Sequence, residues 1–133
     1  MIKVMIGMGC DRNASLQTLE IALEQALQLA DLQQNSIVGL ASIDKKNDEV
    51  ALLELARKNG WRLHFFAAEE LAKVPVPNPS EIVRKYMGTP AVAEAAALLA
   101  ANTQMQNLLI EKHKYLGEDG KNATVSIAQI VAD

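Results

Sequence analysis

Short apolar runs alternate with longer stretches in which apolar residues return every three or four positions. Ile2 to Ile6 is apolar and partly β-branched, which predicts a first strand. Beyond Gly7 to Asn13, Leu16, Leu19, Leu23, Ala26, Leu27 and Ala30 recur at helical spacing. Glu20, Glu24, Gln25 and Gln28 lie between them, Ser15 stands where an N-cap belongs, and the helix should end near Asp31. Ile37 to Ile43 is a nearly unbroken apolar run, as in a strand buried on both faces. Asp44 to Glu49 is a polar loop. Asn47 or Asp48 is placed to cap a second helix that turns Val50, Leu52, Leu53 and Ala56 inward, and Gly60 is placed to end it. Trp61 to Ala67 predicts a third strand, with Leu63, Phe65 and Phe66 as core candidates, and Glu69 to Ala72 a helical turn.

Pro75, Pro77 and Pro79 exclude a helix or a central strand, so that stretch is an extended crossing segment. Ser80 caps a helix from Glu81 to about Tyr86, closed by Gly88. Thr89-Pro90 then opens another from Ala91 to Ala101, nearly all alanine, leucine and valine, with Glu94 its one charge. A helix that is apolar all round is a buried helix. Residues 106 to 112 predict a fourth strand, Gly117-Glu118-Asp119-Gly120 a hairpin turn, and Asn122 to Ile130 a fifth strand. Strands alternating with helices, then a hairpin, predict an α/β fold. It has three α/β/α layers around a mixed, mostly parallel five-stranded sheet with a C-terminal antiparallel hairpin.

Composition narrows the function classes. At 133 residues the chain suits one domain spanning 1–133; half its residues are hydrophobic and 22% charged, as in a folded protein. A net charge of −3 gives no basic footprint for nucleic acid. No apolar run reaches membrane-span length, and the start has no signal-peptide pattern, so a cytoplasmic protein is expected. One cysteine, Cys10, and two histidines, His64 and His113, exclude an internal disulfide and offer no metal-ligand spacing; no metal and no cofactor are expected.

The stretch Gly7-Met8-Gly9-Cys10-Asp11-Arg12-Asn13 carries the most chemistry. A glycine turn between a strand and a helix start leaves N–H groups unpaired at the positive end of the helix dipole, and Arg12 adds a planar fork for a carboxylate. The alternative is a tight turn with no ligand. Both this loop and the Asp44–Glu49 loop should lie on the carboxyl edge of the sheet, where such folds bind ligands. Asp44 and Asp48 are acid–base candidates or loop-ordering caps. Cys10 precedes a helix, where a thiol pKa falls. Glu94 is either a satisfied buried carboxylate or a functional one. Lys112 and His113 are expected on solvated faces at a strand end, and His64 in a structural position.

Four blocks in order resemble one family: Gly7-Met8-Gly9-Cys10-Asp11-Arg12, Leu40-Ala41-Ser42-Ile43-Asp44-Lys45-Lys46-Asn47-Asp48-Glu49, Val74-Pro75-Val76-Pro77-Asn78-Pro79-Ser80-Glu81, and Gly88-Thr89-Pro90-Ala91-Val92-Ala93-Glu94-Ala95-Ala96-Ala97-Leu98. It is the CobE and CbiG C-terminal domain group of cobalamin biosynthesis. Asp11 departs from a common arginine and Asn13 from a common glycine. The resemblance implies binding of a precorrin or cobalt-precorrin, with Gly7, Gly9, Cys10, Arg12, Lys46, Thr89 and Glu94 as substrate-binding residues. In the larger relatives this domain follows others in a hydrolase that opens the δ-lactone of a cobalt-precorrin and releases acetaldehyde; this chain resembles the stand-alone form. If this chain hydrolyses a lactone itself, Asp44 or Asp48 would activate the water. Two other functions are weighed. A non-catalytic partner or chaperone of another cobalamin-pathway enzyme would use the alanine helix as its interface. A dinucleotide-binding enzyme is prompted by Gly7-x-Gly9, but the third glycine is absent and Asp44 lies about ten residues too far along.

Overall fold

The computed structural model describes residues 2–76 and 92–131. In chain order they form β1 (Val4–Cys10), α1 (Leu16–Leu29), β2 (Ile37–Ile43), α2 (Val50–Asn59), β3 (Arg62–Phe66), α3 (Ala68–Ala72), α4 (Val92–Ala101), β4 (Leu108–Leu116) and β5 (Asn122–Gln129). The expected helix from Glu81 to Tyr86 and the Thr89-Pro90 helix start lie outside the described residues.

The five strands form one mixed sheet in the order β3-β2-β1-β5-β4. β1 pairs parallel with β2, and β2 with β3; β5 runs antiparallel to both β1 and β4. Four of the five strands therefore point the same way. Alternation along β1 sorts its side chains. Val4, Ile6 and Met8 join the core under α1 and α2, while Met5 packs with Ala97, Leu98 and Ala101 of α4. α3 and α4 cover that second face, where Ala41, Ile43, Leu71, Ala95 and Ala96 cluster. The expected α/β/α layering is what forms.

Local signals explain the ends. Ser15 caps α1, its hydroxyl accepting from the Thr18 N–H at 3.1 Å. Gly60 ends α2 in the left-handed region at φ 70°, which costs glycine nothing. Three expectations need correction. β1 does not stop at Ile6 but continues to Cys10, because Gly7 to Cys10 pair with both neighbouring strands or with β5 alone. In α2 the inward face is Ala51, Leu52, Leu55 and Ala56, whereas Val50 and Leu53 are exposed, so the apolar stripe is set one position from where the pattern put it. The cap residue is Glu49, not Asn47 or Asp48.

The alanine helix is buried as its composition predicts: Ala95, Ala96 and Ala97 have no exposed surface. Its apolar face is spent on its own sheet, which removes it as a docking surface for a partner. Ala96→Leu is expected to overpack this interface and lower stability by about 1–3 kcal/mol. A wild-type urea midpoint for that variant would show a looser packing than the one described.

Candidate functional site

The two loops expected to share the carboxyl edge do meet. Arg12 Nη1 donates to Asp48 Oδ1 and to Glu49 Oε2, each at 2.7 Å, and Nη2 donates to the Lys45 carbonyl at 3.0 Å. Glu49 Oε1 accepts from the Asn13 N–H at 2.6 Å, and its side chain is only 2% exposed. Arg12 is thus a clamp between the loops after β1 and β2. Its fork is already filled by this chain's own carboxylates, which corrects the expectation that it stands ready for a ligand.

The backbone cradle is filled too. The Asp11 N–H donates to the Asn122 carbonyl at 2.9 Å and the Ala14 N–H to the Asp11 carbonyl at 3.2 Å. The Ser15 N–H donates to Asp119 Oδ2 at 2.8 Å, with the Thr18 hydroxyl on Asp119 Oδ1 at 2.9 Å. The positive end of α1 does attract an anion, and the anion is Asp119 from the β4–β5 turn. Asp11 is held locally: its Oδ2 accepts from the Asn122 N–H and side-chain amide at 2.8 and 3.1 Å. Asn13 sits at φ 67°, in the left-handed region that asparagine adopts more readily than most residues.

Asp119 gives a pH prediction. The Ser15 N–H first, then the Lys121 N–H and the Thr18 hydroxyl, hold its carboxyl at about 2 instead of 3.8. A folded-state value below the unfolded one adds stability above the unfolded value, and that stability is lost as pH falls from 3.8 toward about 2. Asp119→Asn should therefore lower Tm at pH 6, and the difference from wild type should shrink as the pH drops to 2. A constant difference across that range would contradict the assignment.

The remaining candidates divide. Gly7 lies buried in mid-strand beneath α4, where no ligand reaches its backbone, so it is structural. Both Gly7 and Gly9 belong to β1 and not to a turn, which removes the dinucleotide reading. A Cβ added to Gly9 meets nothing within 4 Å among the described residues. Cys10 is no reactive thiolate: burial pushes its pKa up to about 11, although Lys46 pulls the other way. Asp48 is a poor base, because the Arg12 guanidinium holds its carboxyl below the usual range. Asp44 is exposed at the start of a 3₁₀ turn, Asp44–Lys46. Lys46 is not a solvated loop lysine. It is 9% exposed, acts electrostatically on Cys10, and has no carboxylate in ion-pair range among the described residues. Thr89 lies outside the described residues.

Glu94 is wholly buried, with neither oxygen hydrogen-bonded among the described residues. Lys112 Nζ is 3.6 Å from its Oε1, near enough for attraction and too far for a hydrogen bond. Burial raises the Glu94 pKa, Lys112 opposes this and Glu111 adds to it. Lys112 and His113 are therefore not on solvated faces at a strand end. Both sit within β4, partly buried, and His113 Nε2 is 2.7 Å from Gln25 Oε1 of α1. The sequence offered no sign of the Glu94–Lys112 or Asp119–Ser15 pairs, since each joins positions far apart in the chain. Among the described residues no group of acidic, histidine or cysteine side chains could hold a metal, and no helix is long and apolar enough to cross a membrane.

Known proteins resemble this chain in sequence and fold. The family model described as "Cobalamin synthesis G C-terminus" matches residues 4–128. A cobalt-precorrin-5A hydrolase of Priestia megaterium is 34% identical over 128 residues, covering 96% of this chain and 32% of the hydrolase, so the chain spans about a third of that relative's length. A protein CobE of Sinorhizobium sp is 32% identical over 111 residues, covering 82% of this chain and 71% of its own. The crystal structure of a CobE from the cobalamin (vitamin B12) biosynthetic pathway superposes with a TM-score of 0.83 at 29% identity, over 99% of this chain and 93% of that one.

Proposed function

The chain belongs to the cobalamin synthesis G C-terminus family, and on that premise we propose that it binds a precorrin or cobalt-precorrin at the carboxyl edge of its sheet. It is a homologue of CobE and of the C-terminal part of the hydrolase. A corrin precursor is a broad apolar ring fringed with carboxylates, and its recognition needs cations that are not already paired. The observation that carries the reading is Lys46: a largely buried lysine on that edge with no carboxylate partner among the described residues. Arg12 contributes by holding the two loops in register, not by gripping the ligand.

The chain acts as a binder and is not a fast lactone hydrolase by itself. Asp48 is held ionised by Arg12, Cys10 stays a thiol, and Asp44 is exposed to solvent. Incubation with the lactone intermediate should give no rapid acetaldehyde release. Rapid release abolished by Asp44→Asn would make the chain a hydrolase.

Absorbance titration with cobyrinic acid, a corrin whose edge carries carboxylates, tests the binding. Lys46→Ala should weaken it about tenfold or more, as loss of one charge-assisted contact does. Arg12→Ala should weaken it less, through loop disorder. Equal affinity for wild type and Lys46→Ala would remove the lysine from the site, and no spectral change with wild type would remove the function.

A further inference from the structure

β4 carries two extra residues against β5, and the second of them brings Glu94 and Lys112 together. Ile110 pairs with Ile127 and His113 with Val125, so three steps along β4 match two along β5. The bulge falls at Glu111 and Lys112, opposite Ser126. The buried Ser126 hydroxyl pins it by donating to the Glu111 carbonyl at 2.6 Å. Bulges re-aim side chains, and this one sends Lys112 to the α4 face, where its ammonium is 3.6 Å from Glu94 Oε1. Two buried carboxylate oxygens without a hydrogen bond among the described residues call for an explanation, since native folds nearly always satisfy such atoms. On the same face of the sheet, Gly9 adds no side chain, and a Cβ there would meet nothing within 4 Å among the described residues.

We propose that Glu94 and Lys112 together form a binding subsite for a neutral carboxamide group, whose N–H₂ donates to a Glu94 oxygen while its carbonyl oxygen accepts from the Lys112 ammonium. The pair selects that class by charge. A carboxylate would face the Glu94 charge, and an amine would face Lys112. A carboxamide satisfies both without adding charge to a buried place. The 3.6 Å separation leaves each partner's hydrogen-bonding capacity open. The same charge argument excludes the carboxylates of a corrin precursor from the pair, so the carboxamide site stands on the pair alone and not on the proposed corrinoid binding.

Acetamide and acetate are the probes, followed by ¹H–¹⁵N chemical shifts of the intact chain. Acetamide at millimolar concentration should move the resonances of residues 93–95 and 111–113, and acetate should not. Glu94→Leu and Lys112→Met should each weaken the acetamide response at least tenfold; the first fills the site with an apolar side chain and is expected to fold. No response to acetamide, an equal response to acetate, or a response retained in both variants would overturn the subsite; the first of these means that water alone completes the pair. Cobyrinic acid is titrated separately. Acetamide binding without cobyrinic acid binding keeps the subsite and drops the corrinoid reading, and the reverse result drops the subsite alone.

Discussion

Gly7→Ala is expected to destabilise the protein by about 3 kcal/mol or more, a large share of the stability of a domain this size. A Cβ at Gly7 would press into the Ala93 carbonyl oxygen and stand 2.8 Å from the Ala93 carbonyl carbon and 2.9 Å from the Ala97 nitrogen. These are backbone atoms of α4, which cannot swing aside as a side chain can. The helix would have to lift from β1 as a unit and open the apolar contacts around Ala95, Ala96 and Ala97. Gly9→Ala is the control two residues along the same strand. Nothing among the described residues lies within 4 Å of its added Cβ, and the change should move stability by less than about 1 kcal/mol. Urea midpoints of the two variants decide the matter. Equal midpoints would mean that α4 does not rest on Gly7.

Replacing both members of the pair, Glu94→Leu with Lys112→Met, is expected to do the opposite and raise stability by about 1–4 kcal/mol at neutral pH. The carboxylate is fully buried, its oxygens have no hydrogen-bond partner among the described residues, and Lys112 compensates only from 3.6 Å. Replacing an incompletely compensated buried pair with apolar side chains removes the desolvation penalty without leaving either charge alone. The pH dependence fixes the cause. Burial raises the folded-state pKa of Glu94 above the ordinary 4.5, against the pull of Lys112 and with the push of Glu111. A raised carboxyl favours the folded state in acid. That contribution is greatest below the unfolded value and fades as pH rises through the folded one. The advantage of the double variant should therefore be small at pH 4 and grow toward pH 7. A variant less stable than wild type at pH 7 would show that the carboxylate is well satisfied in solution.

A gain in stability from deleting a polar residue is the usual sign of a position kept for function. Here the same double substitution should also abolish the acetamide response, which separates a functional carboxylate from a merely tolerated one.

Much of the fold was legible because its signals are local. Ser15, Gly60, the glycines of the Gly117–Gly120 turn and the unbroken apolar run of β2 each act on their own few residues. The structure places a cap, a left-handed end, a hairpin turn and a buried strand there. The alanine helix announced its burial by having no polar face. β1 was misread because Gly7 and Gly9 are weak strand formers. They are strand residues only because β5, more than a hundred positions later, pairs with them and α4 needs the space above Gly7. The Val50 and Leu53 error arose because two apolar residues at helical spacing look alike whether they face the sheet or the solvent.

The site was less legible, for a related reason. Arg12 and the N–H groups after β1 have the composition of an anion cradle, and the sequence cannot say that Asp48, Glu49 and Asp119 fill it. Charge at a loop is local information, whereas the partner that neutralises it is not. Lys46 carried the same ambiguity in reverse. Among lysines in a charged loop it looks solvated, and only the folded position of the Asp44–Lys46 turn, which packs beside β3, makes it buried. The bulge at Glu111 and Lys112 left no trace in the alternation of β4.

The central claim is that a corrinoid binds at the carboxyl edge of the sheet. Its most direct measurement is a ¹H–¹⁵N titration of the whole chain with cobyrinic acid. The largest shifts should fall in residues 9–14 and 42–49, with little change at the far end of α4, around Lys73, Asn102 and Thr103. Shifts confined to that opposite end, or no shifts at saturating corrinoid, would contradict the account.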